Sequence, residues 1–228
     1  SMGIDDRPVV GTLEGVDAEI LVVLKPAVVL HQPPATGSDP VLVGLRDRLG
    51  FTLVGDRLDG VDDLIRLLDE VERLGLASPE RLRERRESIS RIGAMAAGVD
   101  DPLAVLLHSI EPLGVAGRDT FLGELADAAG LRNAAGAGGW REWSIETLLS
   151  SQPDVVVLFT AGGSIDRARN QLKMIEWPRP PLQVIITNPD AFEPSTRMPR
   201  VLADLRSALG DAGVEVAPAA IEEVGRER

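Results

Sequence analysis

The chain has 228 residues, 44% hydrophobic and 26% charged, which is enough for one large or two modest domains with a real core. A formal net charge of -12 and a pI near 4.7 repel nucleic acid and anionic membrane surfaces, so neither is an expected partner. With no cysteine, thiol catalysis, disulfides and cysteine-ligated zinc or iron–sulfur clusters are excluded.

No apolar run reaches the length of a membrane-spanning helix, and the N-terminus has no basic-then-apolar pattern, so no signal peptide is expected in this sequence. The first informative stretch, DAEILVVLKPAVVL at 17–30, predicts a short helix stopped by Pro26 and a strand over 27–30. A polar, proline-rich loop from His31 and Gln32 to Asp39 then leads to an amphipathic helix over 41–49, ended by Gly50. A strand over 51–54 and a helix over 61–74 follow, the latter with apolar residues at 61, 64, 65, 68 and 71. This βαβα rhythm indicates a small parallel sheet flanked by helices.

Ser78-Pro79 opens a helix expected to run to about residue 97. Its apolar stripe is narrow, at Leu82, Ile89, Ile92 and Ala96, which suits a strut between lobes better than a core element. Beyond it a strand over 103–107 should end at His108, with a loop over 112–118 and a helix over 120–129 capped by Asp119 and closed by Gly130. The glycine-rich segment 134–139 leads into GGWREWSIETLLSSQPDVVVLF at 138–159. There Ser144 caps a helix, Pro153 ends it, and 154–159 is an unbroken apolar run that predicts a strand covered on both faces. Trp140 and Trp143, beside Gly138 and Gly139, suggest a wall for something flat, although tryptophans more often only pack. Thr160-Ala-Gly-Gly-Ser164, another helix, a strand over 183–187 and a last helix over 199–209 complete the order, with a short strand suggested at 214–216 in the charged tail.

The unit at 138–159 has an echo near the N-terminus. Glu19 precedes Pro26 by the same seven positions that separate Glu146 from Pro153, and a valine-rich strand follows each proline. Two copies of one helix–proline–strand unit imply two lobes of like construction. The expected division is a first lobe over 1–77, a connecting helix within 78–99 and a second lobe over 100–228.

No catalytic constellation stands out. His31 and His108 both fall at strand C-terminal ends, where open α/β sheets bind ligands, but no carboxylates cluster with them at ligand spacing, so no metal site is expected. Neither glycine stretch completes a dinucleotide or Walker pattern, and Thr160–Ser164 reads as a tight turn before it reads as an anion cradle. There is no G-x-S-x-G.

Six stretches in order do carry a resemblance: LKPAVVL at 24–30, GRDTFLGEL at 117–125, AGLRN at 129–133, WSIETLL at 143–149, PDVVVL at 153–158 and RMPRV at 197–201. In this order they resemble the class III periplasmic substrate-binding proteins, helical-backbone receptors that deliver cobalamin, haem or iron–siderophores to ABC importers. The resemblance implies an α/β fold of two small parallel-sheet lobes joined by one long helix, no enzymatic activity, no bound cofactor and a periplasmic or membrane-anchored extracytoplasmic location. It implies a corrinoid or metal chelate held between the lobes by aromatic walls, Trp140, Trp143 and Phe192, with Arg197 at the cleft. His31, Gln32, His108, Thr160 and Asn188 are expected to face the same cleft, and Asp39 and Glu176 to dock an ABC permease. Two departures matter. The first strand–helix–strand unit of the first lobe is missing, leaving an edge that the 214–216 strand or a second copy in a homodimer would cover, and there is no tyrosine, a common axial ligand in haem-binding members. The rival reading is an interaction or regulatory domain that kept the scaffold and lost ligand uptake, with an enzyme on the same lobes as a third.

Overall fold

The computed structural model describes residues 10–12, 15–33, 37, 39–55, 57–160 and 165–214. The expected turn at 161–164 and the strand residues at 215–216 lie outside them.

The chain opens with a two-strand antiparallel hairpin, β1 (Gly11–Thr12) and β2 (Gly15–Val16). Helix α1 (Ala18–Leu24) starts where the Asp17 carboxylate accepts the N–H groups of Glu19 and Ile20, and stops at Lys25, which adopts the left-handed conformation just before Pro26. Strand β3 (Val28–Leu30) follows as expected. Helix α2 (Pro40–Leu49) is capped by Asp39 and closed by Gly50, and strand β4 (Thr52–Val54) pairs in parallel with β3. These pieces share a small core of their own, Leu21, Leu42, Leu45 and Phe51.

Helix α3 (Val61–Arg73) and helix α4 (Pro79–Gly93) behave differently. Val61, Leu64 and Leu68 of α3 and Leu82, Ile89 and Ile92 of α4 belong to the large core that also holds the second sheet. Thus α4 is wet on most of its surface, as expected, but Leu82, Ile89 and Ile92 of its narrow stripe join a core while Ala96 lies exposed past its end; its polar side is tied to α3 by Arg86, which pairs with Asp69 at 2.7 Å and Glu72 at 2.6 Å. It also ends four residues before the expected 97, with Ala94 as its C-cap.

The second sheet is built on β5 (Leu103–Ser109), longer than predicted, so that His108 lies inside the strand. A tight return gives β6 (Gly114–Ala116), an antiparallel neighbour where a loop was expected. Helix α5 (Phe121–Ala128) is capped by the Thr120 hydroxyl, which accepts the Gly123 N–H; Asp119 instead binds the Gly138 N–H. Strand β7 (Arg132–Asn133) pairs with the start of β5, and β8 (Trp140–Glu142) pairs antiparallel with β6. Helix α6 (Ile145–Ser150), β9 (Val155–Phe159), α7 (Ile165–Lys173), β10 (Leu182–Ile186), a 3-10 turn (Pro189–Phe192) and α8 (Met198–Asp211) complete the order. All five residues of β9 are buried, as a strand covered on both faces requires. The path is β10-β9-β5-β6-β8, parallel through β10, β9 and β5, then antiparallel. The second sheet is therefore mixed and not purely parallel, because the β5–β6 connection is too short for a crossover helix.

Candidate functional site

The carboxyl ends of β5 and β9 open into a cavity of about 340 Å3. His108 and Thr160 sit at its floor, Phe192 closes one side, and Arg167 and Gln171 reach it from α7. This is where open α/β sheets present ligands. A wider cavity of about 760 Å3 lies at the opposite, amino end of the same strands. Two of its three carboxylates already serve the backbone: Asp101 accepts the Gly98 N–H, and Asp154 accepts the Leu103 N–H while facing Arg179. We therefore place the candidate site at the smaller cavity.

Local structure aims His108 with some care. Leu107 pairs with Val115 but Ser109 pairs with Gly114, so β5 has one extra residue at that point and His108 sits in the bulge. Its ring lies over Gly114, where a Cβ would come within 2.5 Å of the imidazole, so any side chain there would push the ring aside. Trp140 stands edge-on to the imidazole with ring centroids 5.0 Å apart, and Phe121 backs Trp140 at 5.5 Å. Burial pushes the His108 imidazole below its ordinary pKa, so it is neutral near pH 7.

Trp140 is held by a hydrogen-bonded frame between two of the resemblance stretches, 117–125 and 129–133, and the glycine-rich segment that follows them. Gly117, Arg118 and Asp119 donate their N–H groups to the carbonyls of Gly139, Gly136 and Gly138. Thr120 donates its hydroxyl to the Gly117 carbonyl, Asn133 donates from Nδ2 to the Ala116 carbonyl, and Arg141 binds the Ala135 and Ala137 carbonyls. The backbones meet so closely that a Cβ on Gly117 would lie 2.1 Å from the Gly138 oxygen.

The predicted residues divide. His108, Thr160 and Phe192 line one cavity, and Trp140 touches His108. Trp143 instead packs against the core that contains Leu107, Leu113 and Leu148, as a plain packing tryptophan does. Asn188 is occupied structurally: it caps the 3-10 turn through Asp190 N–H and donates to Asp204 at 2.6 Å. Arg197 is exposed and paired with Asp190 at 2.8 Å. His31 and Gln32 follow β3 in the first lobe and do not line this cavity; His31 donates its N–H to the Val54 carbonyl, and its buried Nε2 has no hydrogen-bond partner. Asp39 is committed to the α2 cap, and Glu176 is exposed after α7. Among the described residues no group of three histidine, aspartate or glutamate side chains is positioned to hold a metal ion.

Sequence reasoning missed Arg167, Gln171 and Glu124. The first two follow the Thr160–Ser164 stretch and carry no motif. Glu124 of α5 accepts the Val61 N–H at 2.7 Å across 63 positions of chain, and only a fold could bring them together. Burial raises its pKa to about 7, opposed by the Val61 hydrogen bond and assisted by the nearby carboxylates of Asp62, Asp63 and Asp127.

No protein-family model and no curated protein matches the chain. Solved structures do. A candidate iron-binding periplasmic solute-binding protein from Staphylococcus epidermidis is 20% identical with a TM-score of 0.65, over 86% of this chain and 80% of that one. The fold is that of the periplasmic solute-binding proteins. The periplasmic heme-binding protein RhuT from Roseiflexus is 23% identical with a TM-score of 0.62, covering 87% of this chain and 81% of that one. The vitamin B12-binding protein BtuF of Vibrio cholerae is 16% identical with a TM-score of 0.53, over 88% and 80%. The two-lobed α/β architecture of the solute-binding proteins is thus present here, and no described helix is long and apolar enough to cross a membrane.

Proposed function

We propose that this chain is a non-catalytic, extracytoplasmic solute-binding protein that holds a bulky corrinoid or iron chelate and passes it to an ABC permease. The observation that carries this reading is the aromatic wall at the carboxyl edge of the second sheet: His108, set in a bulge over Gly114, braced by Trp140 and opening onto the cavity with Thr160 and Phe192. Aromatic faces and uncharged polar groups suit a large flat ligand. Solute-binding proteins of this fold that bind iron, heme and vitamin B12 support the same ligand class. In this reading His31 and Gln32 meet the ligand from the first lobe, Asn188 and Arg197 frame the rim, and Asp39 and Glu176 meet the permease.

Titration with cobalamin, haemin and a ferric siderophore, followed by tryptophan quenching and by equilibrium dialysis, tests it. At least one should bind saturably, and Trp140→Ala should weaken that binding about tenfold or more in dialysis, as loss of a central aromatic anchor does. Saturable binding that is indifferent to Trp140→Ala would refute the proposed wall. A second reading, an interaction domain that no longer takes up ligand, is favoured by the two-strand first-lobe sheet beside exposed Val22, Val23, Leu24 and Leu30. It predicts no binding of the three ligands and a concentration-dependent homodimer.

A further inference from the structure

Three other arginines around the upper face of the second lobe are already engaged. Arg118 pairs with Asp127 at 3.0 Å, Arg141 donates to two loop carbonyls, and Arg197 pairs with Asp190 at 2.8 Å. Arg167 is exposed, lines the cavity and makes no ion pair or hydrogen bond among the described residues. Gln171, four positions on, shares its helix face and also lines the cavity. From the site as a solute-binding pocket, we infer that its ligand carries an anionic group, a carboxylate or phosphate, held by Arg167 with Gln171 and Thr160 as uncharged donors. Partial burial lowers the pKa of the His108 imidazole, so it supplies little positive charge for this role. Glu111, on the cavity wall near His108, repels an anion from that side and directs it toward α7. A local cation is needed because the whole chain, at -12, repels anions at long range.

Two matched pairs of probes separate charge from shape: haemin against haemin dimethyl ester, and an anionic ferric carboxylate siderophore against a neutral ferric hydroxamate. Equilibrium dialysis with the full chain compares wild type, Arg167→Gln and Arg167→Lys. The anionic member of at least one pair should bind more tightly. Arg167→Gln should weaken it about tenfold, the scale of one charge-assisted hydrogen bond. The neutral member should change less than about twofold, and Arg167→Lys should recover part of the loss. Preference for the neutral members, or equal effects of Arg167→Gln on both members, overturns the anion assignment while leaving the binding site standing. Failure of all four probes and of cobalamin to bind wild type overturns the solute-binding reading itself, and this inference with it. Because Arg167 is exposed, an unchanged thermal midpoint for Arg167→Gln separates a binding defect from misfolding.

Discussion

Replacing Glu124 with glutamine removes a negative charge from the joint where α3 begins against α5. Glutamine keeps an oxygen able to accept the 2.7 Å hydrogen bond from Val61 N–H, so the substitution tests charge more than shape. Burial raises the Glu124 pKa from 4.5 to about 7. The folded state therefore holds the proton over a range where the unfolded chain has lost it. The stability linked to this group is fully present below about pH 4.5 and is lost as pH rises to about 7. At full strength such a shift is worth about 3 kcal/mol. Glu124 is only part-buried, and solvent screening reduces this to ~1–2 kcal/mol. In a chain of this size Glu124→Gln should then raise the thermal midpoint by about 2–8 °C at pH 8. At pH 5 the two proteins should melt within about 1–2 °C of each other, since both side chains are then largely neutral. Melts followed by circular dichroism at pH 5, 6, 7 and 8 read the difference, and self-repulsion from the rest of the acidic surface is nearly common to both proteins. A difference that does not change with pH, or a less stable variant at pH 8, would refute the reasoning.

Gly117→Ala puts a Cβ against the Gly138 and Gly139 carbonyls at 2.1 and 2.7 Å, and backbone cannot rotate aside as a side chain can. The loop carrying Trp140 should shift, with a stability loss of about 1–3 kcal/mol and altered tryptophan emission; unchanged melting and emission would exclude the close contact. Ile89→Ala empties a fully buried position where α4 meets the large core and should destabilise by about 2–5 kcal/mol. Because α3, α4 and the second sheet share that core, the main melting transition should move as one; loss of α4 alone in a separate early step would show that the helix is a strut after all.

Local chemistry made much of the fold legible. Ser78 and Ser144 cap the helices that their positions predicted and Gly50 ends the helix it follows, whereas Thr120 takes the cap expected of Asp119. The strand at Val155–Phe159 could be read from its unbroken apolar run alone. Strands β6 and β8 were not legible, unlike the equally short β3 and β4, because nothing in GVA or WRE distinguishes an edge pairing from a loop. The site was legible in part for the same reason. His108 and Thr160 could be found from strand ends and Phe192 only through the resemblance, whereas Trp143 and Trp140 look alike in sequence and are separated only by which face of the sheet each meets.

The unequal cores change where the two lobes meet. The echo between 17–30 and 144–159 suggests like halves, yet the first-lobe core has four buried residues and the large core takes α3 and α4 with the second sheet. By packing, the chain crosses from one core to the other around Asp59 to Val61, before either long helix. That crossing is pinned twice: Phe121 donates its N–H to the Asp59 carbonyl at 2.6 Å, and Glu124 receives the Val61 N–H. Phe121 is also the ring behind Trp140, which braces His108. The same short run of α5 therefore touches the lobe crossing through its backbone and Glu124 and the candidate site through its aromatic ring. A charge change at Glu124 and a ligand at His108 act on opposite sides of one helix turn, so the Glu124→Gln melts gain a second use when repeated with bound ligand.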